Sequence, residues 1–266
     1  MLSLKNITTV IDEKLILNNI NLTIDKNEIF GLVGRNGAGK TTLIKTIVGL
    51  NPIQKGEISV ENALQNKDQY AYKNYIGYVP DTPYLYDLLT AVEYLKLVGA
   101  LWKIEKEVLN KRIDAYLKLM QLYEHRNIYL EKFSFGMKQK VAICAALLHT
   151  PKILILDEPF LSLDPIISFE IKKFLKNYVS EGNIVFLSTH SLELVESFCT
   201  SIGVLKNGTV PYVGKMEEIK NDLTGENTME EFFVDLINKN NISNIQYNNS
   251  NSKINNLNSI ETFSNS

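Results

Sequence analysis

"EIFGLVGRNGAGKTT", residues 28–42, passes from an apolar run into a glycine-rich loop without a break. Residues 28–34 read as a buried strand, and the pattern over 39–50 is helical. Between them lies G-x-x-x-x-G-K-S/T, with Gly34, Gly39, Lys40 and Thr41 at the fixed positions. A strand feeding such a loop into a helix lines up successive backbone N–H groups as an anion nest. Gly34, Arg35, Asn36, Gly37, Ala38, Gly39, Lys40, Thr41 and Thr42 are therefore the candidate nucleotide-binding residues. Gly37 and Gly39 let the backbone wrap close to phosphate oxygens. Lys40 reaches the β- and γ-phosphates, and the Thr41 hydroxyl is a ligand for Mg²⁺. A glycine turn that merely caps a helix is the bland alternative.

Three further apolar runs read as strands: "YIGYVP" (75–80), "KILILD" (152–157) and "NIVFLST" (183–189). The last two are apolar without alternation, as parallel strands covered on both faces are. Helical patterns follow at 165–180 and 191–199, so strand alternates with helix. The expected fold class is α/β: a phosphate-loop core with a mainly parallel sheet. Residues 83–150 are helical only, which predicts an inserted helical subdomain. The first 27 residues, with "GEISVEN" (56–62), alternate as an antiparallel sheet at one edge.

"KILILDEP" ends a strand in two carboxylates, at the sheet edge where α/β proteins bind ligands. Such a pair is most often a solvated turn. Beside a phosphate loop, Asp157 is a candidate Mg²⁺ ligand, acting through water. Glu158 is then the candidate to polarise the water that attacks the γ-phosphate. "NIVFLSTH" brings His190 to the same edge as a third candidate catalytic residue with Glu158 and Lys40. In "EKFSFGMKQKVAIC" (131–144) a bare serine, a glycine and two lysines open a helix, the groups that suit an anion at a helix N-terminus.

The net charge of −2 gives no electrostatic case for nucleic acid as a partner. Cys144 and Cys199 match no metal spacing, which suits a reduced, intracellular protein. The N-terminus lacks a basic-then-apolar signal pattern. No apolar run approaches the roughly 18 residues of a membrane span. A membrane role would need a partner to supply that part. Residues 238–266 are mostly Asn and Ser, too poor in apolar surface to pack, and are expected to be a mobile tail after the amphipathic "TMEEFFVDLI".

Taken together, GRNGAGKTT, YVPD, FSFGMKQK, ILILDEP, LSLDP and STH, in that order, resemble the ATP-binding subunit of an ATP-binding cassette (ABC) transporter. The resemblance covers residues 1–237 as one ATPase domain. It implies ATP and Mg²⁺ as ligands and a second copy of the subunit, making a homodimer. It also implies a membrane permease as partner and a peripheral place on the cytoplasmic side of the membrane. In such proteins two subunits pair head to tail. Ser134, Phe135 and Gly136 then form the signature that covers the partner's ATP, and Asp164 of LSLDP crosses the dimer interface.

Phe135 and Met137 depart from the family's L-S-G-G-Q, in a form that resembles exporters of drugs, antimicrobial peptides and small lipids. Asp81 stands where the family has a glutamine that contacts Mg²⁺ and couples the site to the permease, and its own carboxylate oxygen makes it a further candidate Mg²⁺ ligand. Ile11 stands near the place of an aromatic residue that stacks on adenine. In the family, a groove opening at 84–102 receives a short permease helix, which makes Tyr84 and Tyr86 contact candidates. A phosphate-loop small-molecule kinase and a non-transport cassette protein are the alternatives. The kinase would not need FSFGMKQK or LSLDP, and the other usually carries two cassettes or a long coiled coil, neither of which this sequence shows.

Overall fold

The computed structural model describes residues 1–160, 163–222 and 228–238. In it, β1 (Leu2–Ile11) and β2 (Lys14–Ile24) form an antiparallel hairpin. After β3 (Ile29–Val33), β4 (Lys55–Val60) and β5 (Ala63–Leu64) complete a four-stranded sheet in the order β2-β1-β4-β5. The expected antiparallel edge sheet is thus present.

The second sheet holds β3 together with β6 (Ile76–Val79), β7 (Ile153–Asp157) and β8 (Ile184–Thr189). It also takes in β9 (Ser201–Lys206) and β10 (Thr209–Lys215), giving the order β10-β9-β3-β8-β7-β6. β9, β3, β8, β7 and β6 pair in parallel, and β10 is antiparallel to β9. Reading apolar runs alone misses β9 and β10. Their turn signal is nonetheless present: Asn207 and Gly208 both have left-handed backbones, with φ of 48° and 74°, as two-residue hairpin turns require.

The non-alternating strands have two cores to fill. Ile29, Leu154, Leu156, Val185 and Leu187 face one, while Phe30, Ile153, Ile155, Ile184 and Phe186 face the other. The second core also takes Leu2, Leu4, Ile20 and Leu22 of the antiparallel sheet and Leu43, Ile44 and Ile47 of α1 (Lys40–Ile47). A short α2 (Gln69–Asn74) precedes β6.

Between residues 83 and 150 lie α3 (Ala91–Leu101), α4 (Lys106–Leu119), two short 3-10 turns and α5 (Phe135–Leu147). A capping box starts α3: Glu93 N–H meets Thr90 Oγ1 while Glu93 Oε2 accepts from Thr90 N–H. α6 (Pro165–Ser180) coincides with its sequence pattern, and α7 (Leu192–Phe198) follows β8. α8 (Met216–Asp222) and α9 (Met229–Asn238) end the described chain. The tail expected over 238–266 lies outside the described residues from 239 onward.

Candidate active site

Four neighbouring parallel strands deliver the site. β3 ends in the phosphate loop, β8 in His190, β7 in Asp157 and Glu158, and β6 in Pro80 and Asp81. Because the register pairs Val33 with Thr189, Asp157 with Ser188 and Val79 with Leu156, these ends share one edge of the sheet. This is where open α/β sheets hold ligands.

Gly39 caps α1 with φ 106°, a left-handed backbone that favours glycine. No side chain caps this helix, and its first turn carries no acidic residue. By contrast, Thr90, Ser134, Asp164 and Ser191 cap α3, α5, α6 and α7. The first N–H groups of α1 therefore remain open to an anion. Lys40 is buried and donates to the carbonyl oxygens of Gly34 at 2.8 Å and Arg35 at 3.5 Å. An ammonium has three donors, so it can take a phosphate oxygen from this position.

Asp157 is buried, 1 % exposed. Its Oδ1 accepts from the Ser188 hydroxyl, while Oδ2 is buried without a hydrogen-bond partner among the described residues. Burial raises its pKa. The Ser188 and Thr41 hydroxyls pull it back, and the charges of Asp81 and Glu158 push it up again. An orphaned, buried carboxylate oxygen near a threonine hydroxyl fits Mg²⁺, which takes oxygen ligands and completes its shell with phosphates and water. Among the described residues, no cluster of three or more His, Cys, Asp or Glu side chains is arranged for a metal.

Glu158 has φ 47°, an uncommon backbone for a non-glycine residue and a kind that gathers at functional sites. Its N–H donates to the Ser188 carbonyl at 3.3 Å and Ser188 Oγ at 3.2 Å. Its Oε1 lies 3.0 Å from His190 Nδ1. A hollow of about 390 Å³ opens beside this pair, lined by Phe160, Leu163, Lys172 and Ser197 among others. Ser188 is the residue sequence reading passed over. It lies inside an apolar run, and only the register of β7 against β8 reveals its partners.

Asp81 is exposed and turns onto its own chain, where Oδ1 accepts from Thr82 N–H at 2.8 Å. Its charge still reaches the site. The Tyr78 hydroxyl is pushed up to about 12 by burial first, then by Asp157 and Asp81. Ile11 ends β1 opposite Lys14, half-buried at the hairpin turn.

The signature stretch opens α5. Ser134 caps that helix, its Oγ accepting from Met137 N–H at 3.3 Å, and Phe135 is 45 % exposed. The two lysines that suggested an anion-holding terminus are engaged within the chain. Lys138 Nζ lies 2.6 Å from Asp87 Oδ1, and Lys140 Nζ lies 3.7 Å from Asp164 Oδ2. Local carboxylates thus offset both charges. Gln139, buried in the same helix, donates from Nε2 to the Pro80 carbonyl at 3.4 Å and so meets the segment that carries Asp81. Asp164 caps α6 by accepting from Ile167 N–H at 2.9 Å. Leu161 and Ser162 of LSLDP lie outside the described residues.

A groove of about 320 Å³ runs between the sheet core and the helical segment, lined by Tyr78, Pro83, Tyr84, Val98, Trp102 and His149 among others. Tyr84 is 86 % exposed. Tyr86 packs instead against Tyr94, with ring centroids 6.2 Å apart. No described helix is long and apolar enough to cross a membrane.

The family profile described as "ABC transporter" matches residues 17–161. The ABC-type transporter ATP-binding protein EcsA of Bacillus subtilis (strain 168) is 36% identical over 220 residues, covering 83% of this chain and 89% of EcsA. The linearmycin resistance ATP-binding protein LnrL of the same strain is 35% identical over 230 residues, 86% of this chain and 74% of LnrL. Among solved structures, a dimeric post-hydrolysis state of the ATP-binding cassette MJ0796 bound to ADP and Pi superposes with a TM-score of 0.73 at 30% identity. That likeness covers 81% of this chain and 99% of the other.

Proposed function

Because this chain belongs to the ABC transporter family, among its ATP-binding ATPase subunits, we propose that two copies close over Mg²⁺–ATP and drive a separate membrane permease. One observation carries this reading: an uncapped, lysine-bearing phosphate loop and the Asp157–Glu158–His190 group meet at adjacent strand ends. Residues 1–237 form the ATPase domain, and 83–150 its helical subdomain.

The open N–H groups of α1 and the Lys40 ammonium hold the β- and γ-phosphates. Thr41 and the free oxygen of Asp157 hold Mg²⁺, with Asp81 able to add charge from the edge. Bound there, Mg²⁺ offsets phosphate charge. Glu158 orients and polarises the attacking water, and His190 holds the carboxylate in place. Ser134, Phe135 and Gly136, at the start of α5, serve the partner copy's ATP. Asp164 lies at the same interface.

The permease sits on the groove beside Tyr84, and the chain is peripheral on the cytoplasmic face. Export of a drug, antimicrobial peptide or lipid-like cargo is supported by the Phe135–Gly136–Met137 form and by the likeness to LnrL, a linearmycin resistance protein. ATPase assays with and without the reconstituted permease test the coupling. Tyr84→Ala with Tyr86→Ala should cut permease-stimulated turnover about tenfold, as loss of interface anchors does, while basal turnover stays within about twofold. Equal loss of both rates would refute docking at this groove.

A further inference from the structure

We propose that Ser188 is a positioning residue for the site, setting the geometry of both carboxylates through one hydroxyl. Ser188 is fully buried at the end of β8, in register with Asp157 on β7. A serine hydroxyl offers one donor and two acceptor lone pairs, and here both functions are used. The O–H donates to Asp157 Oδ1. The oxygen accepts from Glu158 N–H at 3.2 Å, and the Ser188 carbonyl shares that N–H at 3.3 Å.

Each bond has a distinct effect. By occupying Oδ1, Ser188 fixes the carboxylate plane and leaves Oδ2 as the single buried oxygen without a partner on Asp157. That oxygen is the one available to a metal or its water. By accepting from Glu158 N–H, Ser188 ties down a backbone at φ 47°, from which the Glu158 side chain departs toward His190. An apolar residue of the same size would leave the buried Oδ1 without this donor. The carboxylate could then rotate, and the Glu158 turn would keep only its bond to the carbonyl. Removal of such outer contacts to metal ligands costs about 10- to 100-fold in metal affinity or activity.

Resting on the Mg²⁺ assignment proposed above, the test uses Mn²⁺ as a spectroscopic substitute with a non-hydrolysable ATP analogue. Mn²⁺ binding to the wild-type chain plus analogue, read by electron paramagnetic resonance, checks the metal assignment by itself. Ser188→Ala should weaken Mn²⁺ binding about tenfold or more while analogue affinity in EDTA stays within about twofold. Ser188→Thr, which restores the hydroxyl, should recover most of the Mn²⁺ affinity. Wild-type Mn²⁺ affinity in Ser188→Ala would overturn the positioning role. So would equal losses with and without metal, since these report a folding defect, or a threonine variant as weak as the alanine one.

Discussion

His190 Nδ1 lies 3.0 Å from Glu158 Oε1, joining the ends of β8 and β7. The His190 side chain is 56% exposed and that of Glu158 19%, so the imidazole reaches out from the sheet edge to the carboxylate. Glu158→Gln keeps shape and hydrogen bonding but removes the charge. Hydrolysis should slow by about a hundredfold or more, the range of a lost general base, with ATP binding retained. His190→Ala should slow turnover as well, and a steady-state ATPase assay with a binding control checks both.

Lys40→Ala removes the cation from the phosphate loop. A hydrogen bond to a charged group is worth about 1.5–3 kcal/mol, so ATP affinity should fall by about 10- to 100-fold. Equilibrium binding with a fluorescent nucleotide reads this directly. Because the described hydrogen bonds of the Lys40 ammonium go to its own loop carbonyls, the melting temperature should change little.

The phosphate loop, the Asp157–Glu158 strand end and the helix over 165–180 were legible in sequence, since each couples a residue motif to a hydrophobic period. Other features depend on partners far along the chain. Ser188 acquires its role only when β8 lies beside β7. Lys138 and Lys140 look like anion ligands until folding brings Asp87 and Asp164 to them. β9 and β10 were missed because the Asn207–Gly208 turn was passed over for want of a long apolar run.

That hairpin also buttresses the phosphate loop. Gly208 N–H donates to the Ala38 carbonyl at 3.2 Å, and its carbonyl accepts from Asn18 N–H at 2.8 Å. A Cβ at Gly208 would collide with the Ile16 carbonyl oxygen, on a backbone already at φ 74°. Gly208→Ala should destabilise the chain by about 1–3 kcal/mol, the usual cost of a backbone misfit, and weaken ATP binding with it. Urea unfolding and nucleotide titration on the same variant separate the two effects.

His149 gives the groove a pH dependence. Its ring stacks on Trp102 at 4.0 Å between centroids, Nε2 lies 3.0 Å from the Ile76 carbonyl oxygen, and Nδ1 is buried without a partner among the described residues. Burial lowers its pKa, the Ile76 carbonyl opposes that, and Arg112 adds to the lowering. The unfolded chain therefore binds the proton more tightly, near the ordinary histidine value of about 6.5. The stability from neutral His149 is present above that pH and is lost as pH falls toward the lower folded value. Between pH 7.5 and pH 5.5 the melting temperature of the wild type should drop further than that of His149→Gln. Equal drops would remove His149 from the pH response.

On the proposed head-to-tail pairing, ATP is enclosed by two copies, the phosphate loop of one and Ser134 of the other. Light scattering of Glu158→Gln, which binds ATP but turns it over slowly, measures this directly. The chain should be a monomer without nucleotide and a dimer in Mg²⁺–ATP. Adding Ser134→Arg should return the mass to that of a monomer while ATP stays bound. A Glu158→Gln chain that remains monomeric with ATP bound, or a dimer indifferent to Ser134→Arg, would contradict it.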